Sequence, residues 1–281
     1  MLDQITPLIL TYNEAPNIGR TLAQLTWAND IVVVDSFSDD STTDIVSGFQ
    51  QARVYQRVFD NHRDQWNFGL NDTDIKSPWV LALDADYVLT DEIVSELRGL
   101  DGDQAINGYR ADFIYCLNGQ RLRSGIYPSV TVLYRRQCAH YLQDGHTHRI
   151  HVKGQIAQLR QKILHDDRKS LNRWYLSQLK YAELETQKLF QTRKEDLSFR
   201  DRVRTWRVVA PIAVLLHCLV IRGGVLDGWR GFLYAFQRSL AEMMLSLNLL
   251  AHTIGKTEKR ETGERFAELV DGNKTQHKGD F

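Results

Sequence analysis

The run Ile31-Val32-Val33-Val34-Asp35 constrains the fold of this chain more than any other segment. Consecutive β-branched residues are stiff in a helix but pack well on a pleated sheet. An unbroken apolar run, rather than an alternating one, marks a strand buried on both faces. Such a strand needs helices above and below it, and the flanking segments supply them. Ile5–Thr11 reads as a strand that stops at the polar loop Tyr12-Asn13-Glu14, and residues 17–25 carry apolar side chains at helical spacing. Ser38-Asp39-Asp40-Ser41-Thr42, rich in helix-capping residues, opens a helical stretch to about Phe49. Residues 53–57 read as another strand, and the buried run 79–83 closes on Asp84-Ala85-Asp86. Strands alternating with helices predict an α/β fold with a mostly parallel sheet. Ligands of such sheets bind beyond the carboxyl ends of the strands, where all three polar clusters lie.

Residues 104–136 read as strands and turns, punctuated by Gly108, Gly119, Gly125 and Pro128. Leu171–Gln191 has the pattern of an amphipathic helix, followed by Arg200, Arg202, Arg204 and Arg207. The apolar stretch 208–221 is 14 residues long and is interrupted by Pro211 and His217. A spanning helix needs about 20 apolar residues, so it is either a buried core helix or a helix lying in a membrane interface. The flanking arginines suit anionic headgroups, which makes 200–251 a candidate for peripheral membrane contact. A further apolar-rich helix is expected at 229–251, and the polar tail after Gly255 is expected to be mobile. The expected organisation is a strand-and-helix part (1–112), a strand-and-turn part (113–170), a helical region (171–254) and a tail (255–281).

Composition adds one strong asymmetry. The 281 residues sum to zero formal charge, but residues 1–112 hold 7 basic and 19 acidic residues while 113–281 hold 28 and 16. An acidic front suggests carboxylates gathered for metal or hydroxyl chemistry, and a basic back suggests an anionic partner. Nucleic acid is not that partner, because the basic half carries no recognisable nucleic-acid motif. Cys116, Cys138 and Cys218 form no CxxC pair, which fits a reducing, cytoplasmic setting. The first residues lack the basic segment of a signal peptide.

Two carboxylates as close as Asp84 and Asp86 repel unless a cation sits between them, and Mg²⁺ or Mn²⁺ prefers such oxygen ligands alongside a phosphate. Side chains ending the first two strands, Thr11 to Glu14 and Asp35 with Ser36, can hydrogen-bond a base and a ribose.

Taken together, TYNEAPNI (11–18), VVVDSFSDDST (32–42), QWNFGL (65–70) and WVLALDAD (79–86) resemble the inverting family-2 glycosyltransferases, which have the GT-A fold. GIYPSVTVLYRR (125–136), DGHTHRI (144–150), ILHDDRKSLNRW (163–174) and RGGVLDGWRGFLYAF (222–236) are similar to bacterial lipopolysaccharide-core glucosyltransferases. The resemblance implies a mixed, mostly parallel GT-A sheet whose nucleotide-sugar half is 1–112 and acceptor-side half 113–170, with a helical C-terminal region, and transfer from a nucleotide sugar, UDP-linked, to an anionic bacterial glycolipid or surface glycan. It implies that Thr11, Tyr12, Asn13, Glu14, Asp35, Asn67, Asp84 and Ala85 line the nucleotide pocket, and that Asp86, Asp84 and His165 hold the metal. For the general base it implies the 144–149 region, with Asp144 first and His148 and His146 as alternatives. His-Thr-His-Arg stands there where relatives carry a His-Glu pair, Tyr87 replaces a Glu after the D-x-D, and Trp66 replaces a Lys or Arg. Competing readings are a non-catalytic nucleotide- or membrane-binding protein and a polyprenyl-phosphate transferase.

Overall fold

A computed structural model describes the chain except for residues 101–104, 145–146, 194 and 277–281, and except for the side chains of 143, 144, 147, 148, 200 and 256–276. Elements follow in the order β1 (Ile5–Thr11), α1 (Ile18–Ala23), β2 (Ile31–Asp35), α2 (Thr42–Ser47), β3 (Ala52–Gln56), α3 (His62–Asn71) and β4 (Trp79–Asp84). Next come β5 (Tyr87–Val88), α4 (Asp91–Gly99), β6 (Ile106–Ala111), β7 (Phe113–Leu117), β8 (Gln120–Arg121) and β9 (Val130–Arg135). The hairpin β10 (Ala139–Asp144) and β11 (Thr147–Val152) precedes β12 (Gln155–Gln158) and β13 (Ile163–His165). Among the described residues four α-helices follow, α5 (Leu171–Gln191), α6 (Phe199–Thr205), α7 (Val209–Leu216) and α8 (Gly228–Gln276).

Among the described residues, seven strands form one sheet in the order β12-β6-β9-β4-β1-β2-β3. The core strands β4, β1, β2 and β3 run parallel, while β9 is antiparallel to both β4 and β6. Every residue of β2 is buried, as its β-branched run requires. One face of the sheet packs Ile9, Leu83 and Val33 against Ile18, Leu22, Ile93 and Leu97. The other packs Leu8, Val32, Val34 and Val80 against Trp66 and Leu70 of α3. Truncating one such residue to alanine costs about 2–5 kcal/mol.

The chain divides into two compact units. The first comprises Met1–Leu176 and Leu216–Ala235 and carries all thirteen strands among the described residues. The second comprises Ser177–Leu215 and Phe236–Phe281. Its interior joins Ala182, Leu189, Leu197, Leu245 and Leu249. Beside them Arg204 donates to Glu242 at 2.8 Å and lies 3.4 Å from Glu185 and 3.6 Å from Asp201.

Three features differ from, or choose between, the expectations. The stretch 208–221 is α7 followed by a π-helical turn, His217–Ile221, and Ile212, Leu216, Val220 and Ile221 are all exposed, so it is not a buried core helix. Pro211 sits in the first turn of α7, where a missing N–H costs no hydrogen bond. Arg204 is committed to internal carboxylates rather than to a surface patch. Beyond Gly255 the chain stays helical as far as Gln276, since the Lys- and Glu-rich segment contains no proline. No single described helix is long and apolar enough to cross a membrane, and Val209–Ile221 with Gly224–Gly255 passes such a test only as a bent pair.

Candidate active site

Parallel pairing of β1, β2 and β4 brings their carboxyl ends side by side. Thr11 is in register with Asp35, and Leu10 with Asp84, so the three polar clusters of the sequence converge along one edge. Asp35 is fully buried and faces inward. Its carboxylate accepts from Thr11 Oγ1 at 2.8 Å, from Ser38 N at 2.8 Å and from Ser38 Oγ at 2.5 Å. Ser38 Oγ in turn accepts from Asn13 N at 2.7 Å, Asn13 Oδ1 accepts from Asp39 N at 2.8 Å, and Thr42 Oγ1 accepts from Glu14 N at 2.7 Å. Asp35 thus stitches the loop after β1 to the loop after β2. Asn13 and Phe37 take the left-handed backbone conformation at these two turns. Tyr12 stays half exposed beside the Arg173 guanidinium, which donates to the carbonyls of Tyr12 and Asn13.

Asp84 ends β4, and Asp86 follows across Ala85, whose carbonyl accepts from Thr21 Oγ1 at 2.7 Å. Tyr87 then enters β5, which pairs antiparallel with β13 so that Tyr87 lies opposite His165. This ladder carries a histidine distant in sequence to the D-x-D. His165 Nε2 lies 3.2 Å from Asp86 Oδ2, and Asp166 N donates to the Asp86 carbonyl at 3.0 Å. Two buried atoms here have no hydrogen-bond partner, Asp86 Oδ1 and His165 Nδ1. Burial, and then the neighbouring Asp86 charge, push the Asp84 carboxyl above its ordinary range. Burial works against ionisation of Asp86 too, but the charge and hydrogen bond of His165 outweigh it and hold that carboxyl low. His165 is held above its ordinary value in spite of burial, chiefly by Asp86. A pair of carboxylates pushed apart in this way beside an imidazole is a common mark of a working site.

The wall around His165 is aromatic, with ring centroids of Tyr127, Tyr115 and Tyr87 at 4.5, 4.9 and 5.6 Å. Tyr87, the residue in place of an expected Glu, bonds Tyr127 hydroxyl to hydroxyl at 2.7 Å. Opposite this wall lies a polar network. Lys169 Nζ donates to Glu14 at 2.8 Å and lies 3.5 Å from Asp167. Fully buried Asn17 donates to Glu14 and Asp167, each at 2.9 Å, and accepts from Arg20 and the Arg168 amide. Burial raises the Glu14 carboxyl, and Lys169 works against that rise.

The structure therefore brings together Thr11, Tyr12, Asn13, Glu14, Asp35, Asp84, Ala85, Asp86 and His165. Asn67 stands elsewhere, on α3, with its amide donating to Tyr141 O at 3.0 Å and accepting from Tyr141 N at 2.9 Å. The side chains of Asp144 and His148, and all of His146, lie outside the described residues, whose backbone places Asp144 at the end of β10 opposite Thr147 of β11. His151 pairs with His140 across that hairpin. Sequence reasoning assigned no role to Asn17, Arg20, Tyr115 and Tyr127. Asn17 and Tyr127 stand within the TYNEAPNI and GIYPSVTVLYRR motifs but look there like ordinary capping and turn residues. Among the described residues, no group of three or more His, Cys, Asp or Glu stands ready to hold a metal ion. A cavity of about 600 Å³ lies at the opposite edge of the sheet, lined by Thr6, Asp30, Arg53 and Lys76, and shares no residue with this site.

A mixed, mostly parallel sheet between helices, with polar loops gathered beyond its carboxyl edge, is the architecture expected of a GT-A fold. Residues 8–153, a little over half of the chain, match the Glycosyl transferase family 2 model, and the chain belongs to that family. It is 31% identical over 109 residues to an uncharacterized glycosyltransferase of Rickettsia bellii (strain RML369-C). That match covers 38% of this chain and 36% of the relative, so the chain spans about a third of the protein it matches. Among solved structures it is similar to S. aureus TarS 1-349 in complex with UDP-GlcNAc, at 13% identity and a TM-score of 0.46 over 90% of this chain and 92% of that one. It is also similar to glucosyl-3-phosphoglycerate synthase from Mycobacterium tuberculosis in complex with phosphoglyceric acid, at 15% identity and a TM-score of 0.42 over 65% and 79% of the two chains.

Proposed function

We propose that this family-2 protein moves a sugar from a UDP-linked donor to a bacterial glycolipid or surface-polysaccharide acceptor such as lipopolysaccharide core, by a metal-dependent inverting displacement. The observation that carries the reading is the meeting of Asp86 and His165 across β5 and β13, each with a buried atom that lacks a partner, next to Asp84. In donor chemistry the carboxylates and the imidazole fit a divalent ion. Asp84, Asp86 and His165 would hold Mn²⁺ or Mg²⁺, which when bound supplies Lewis-acid stabilisation of the leaving diphosphate.

The chain's own residues do the rest. Thr11, Tyr12, Asn13, Glu14 and Ala85 line the nucleotide pocket. Asp35 acts by holding the 11–14 and 36–38 loops in place, because its oxygens are taken by Thr11 and Ser38. Asn67 acts further back, by pinning β10 to α3. Lys169 places a cation beside the carboxylates, where the diphosphate gathers charge. The acceptor oxygen attacks the anomeric carbon from the face opposite the diphosphate. The bond to the β-phosphate oxygen breaks and that oxygen keeps the electron pair. The acceptor proton passes to a base in the β10–β11 hairpin, Asp144 first, with His148 and His146 as alternatives. The setting is the cytoplasmic face of the inner membrane, with peripheral contact through 200–251.

The test is UDP release from a panel of UDP-sugars with Mn²⁺, comparing wild type with Asp86→Asn. The variant keeps the shape of the side chain and should lose at least about 100-fold in turnover. A wild type that neither binds nor hydrolyses any nucleotide sugar would sink the reading.

A further inference from the structure

The carboxy-terminal piece of the first unit, Leu216–Ala235, forms a tight turn built on four glycines. Gly224 and Gly231 meet so closely that a Cβ on Gly231 would stand 1.9 Å from the Gly224 carbonyl oxygen. Gly223 and Gly228 adopt the positive φ that reverses the chain on either side of Val225 and Leu226. The turn is bolted to the transferase body. Asp227 Oδ2 accepts from Arg123 N at 2.8 Å and from Ser124 N and Ser124 Oγ at 3.0 Å each. Tyr234 OH accepts from Ile126 N at 2.9 Å, and Arg222 donates to Gly125 O at 2.9 Å.

What this rigid element displays is apolar. Val220, Ile221, Leu226 and Trp229 are 68, 74, 71 and 87% exposed. Exposed apolar groups collected at one tip mark a surface that meets an apolar partner. The charges around the tip narrow the choice. Arg121, Arg123, Arg222 and Arg230 are exposed, and the turn's own carboxylate is spent on Arg123 and Ser124. Two copies meeting tip to tip would bring like charges together, whereas an anionic bilayer offers phosphates to the arginines and hydrocarbon to the side chains between them. Tryptophan is favoured at that boundary.

We propose that Val220–Trp229 is a membrane-docking tip, inserting Ile221, Leu226 and Trp229 into the interface of an anionic bilayer while Arg222 and Arg230 engage the headgroups. The tip stands in the same packed body as the D-x-D. Tyr234 lies 4.6 Å from the ring of Tyr115, which meets His165 edge-on at 4.9 Å. Docking would thus hold that site at a set distance from the lipid surface. Docking here rests on the peripheral contact proposed above for 200–251 and narrows it to one tip of the first unit, independently of the sugar-transfer chemistry.

The test is flotation of the full chain with phosphatidylcholine vesicles, with and without phosphatidylglycerol. Wild type should float with the anionic vesicles and release in high salt, and Leu226→Glu/Trp229→Glu should bind at least about tenfold more weakly with an unchanged melting temperature. Quenching of tryptophan emission by brominated lipid should occur in wild type and largely vanish in Trp229→Phe, a variant that still docks. Equal flotation of wild type and the double Glu variant would overturn the proposal, as would binding indifferent to anionic lipid. A wild-type dimer that the same variant makes monomeric, without lipid binding, would assign the tip to a second copy instead. Acceptor-free UDP-sugar hydrolysis should be the same in wild type and these variants, which separates loss of docking from failure of the transferase reading.

Discussion

Gly231→Ala is a one-methyl change whose cost can be worked from the turn. The new Cβ would lie 1.9 Å from the Gly224 oxygen and 2.9 Å from the Asp227 Cβ. To restore even 3.0 Å to the oxygen, backbone must move by about 1.1 Å, and neither partner is a flexible side-chain end. Overpacking of this kind costs about 1–3 kcal/mol. The movement also drags Asp227 off three donors, two of them on the fully buried Ser124, and misaligning bonds to a charged acceptor adds about 2 kcal/mol. The sum is about 3–5 kcal/mol. With a urea dependence of about 2 kcal/mol per molar, the midpoint should fall by about 1.5–2.5 M, read by circular dichroism and tryptophan emission. A midpoint within about 0.3 M of wild type would refute the close approach of Gly224 and Gly231, and with it the rigidity of the docking tip.

Other outcomes follow from the same contacts. Arg204→Met strands Glu185 and Glu242, both nearly buried, and should cost about 3–5 kcal/mol, with part of that recovered by adding Glu242→Met in the same melt. Asn61 accepts from the Asp64 amide at the start of α3, so Asn61→Ala should destabilise by about 1 kcal/mol in urea titrations. Lys169→Met removes the cation that holds the Glu14 carboxyl down against burial. An acid whose folded pKa lies above its unfolded value, 4.5 for Glu14, loses stability as pH rises past that value. The variant should therefore match wild type most closely at acid pH and fall behind as the pH rises, which thermal melts across a pH series will show.

Much of the front half was legible in order. The β-branched run at 31–35, the helix-capping cluster after it and the apolar run closing on Asp84 each carry a local signal, and register did the rest by aligning three strand ends. His165 was legible as a candidate metal ligand only through the family resemblance. Its meeting with Asp86 depends on a two-residue strand, Tyr87–Val88, too short to leave a pattern. Asn17 and Tyr127 lay inside the motifs of that resemblance without a role of their own, since an asparagine before a helix and a tyrosine in a Gly- and Pro-rich stretch look like ordinary capping and turn residues. The stretch 208–221 showed the opposite failure. Its hydropathy was plain, but the same run of apolar residues suits a core and a surface equally.

The sequence by itself determined a parallel α/β core with acidic loops at the strand ends, because buried strands and caps are chosen by residues adjacent along the chain. Only the tertiary structure decided which of those acids meet a histidine, which are spent holding loops, and which apolar residues face outward. Those are questions of long-range pairing. Asp35 and Asp86 have the same side chain, yet one is surrounded by hydroxyls and amides and the other keeps a buried oxygen without a partner.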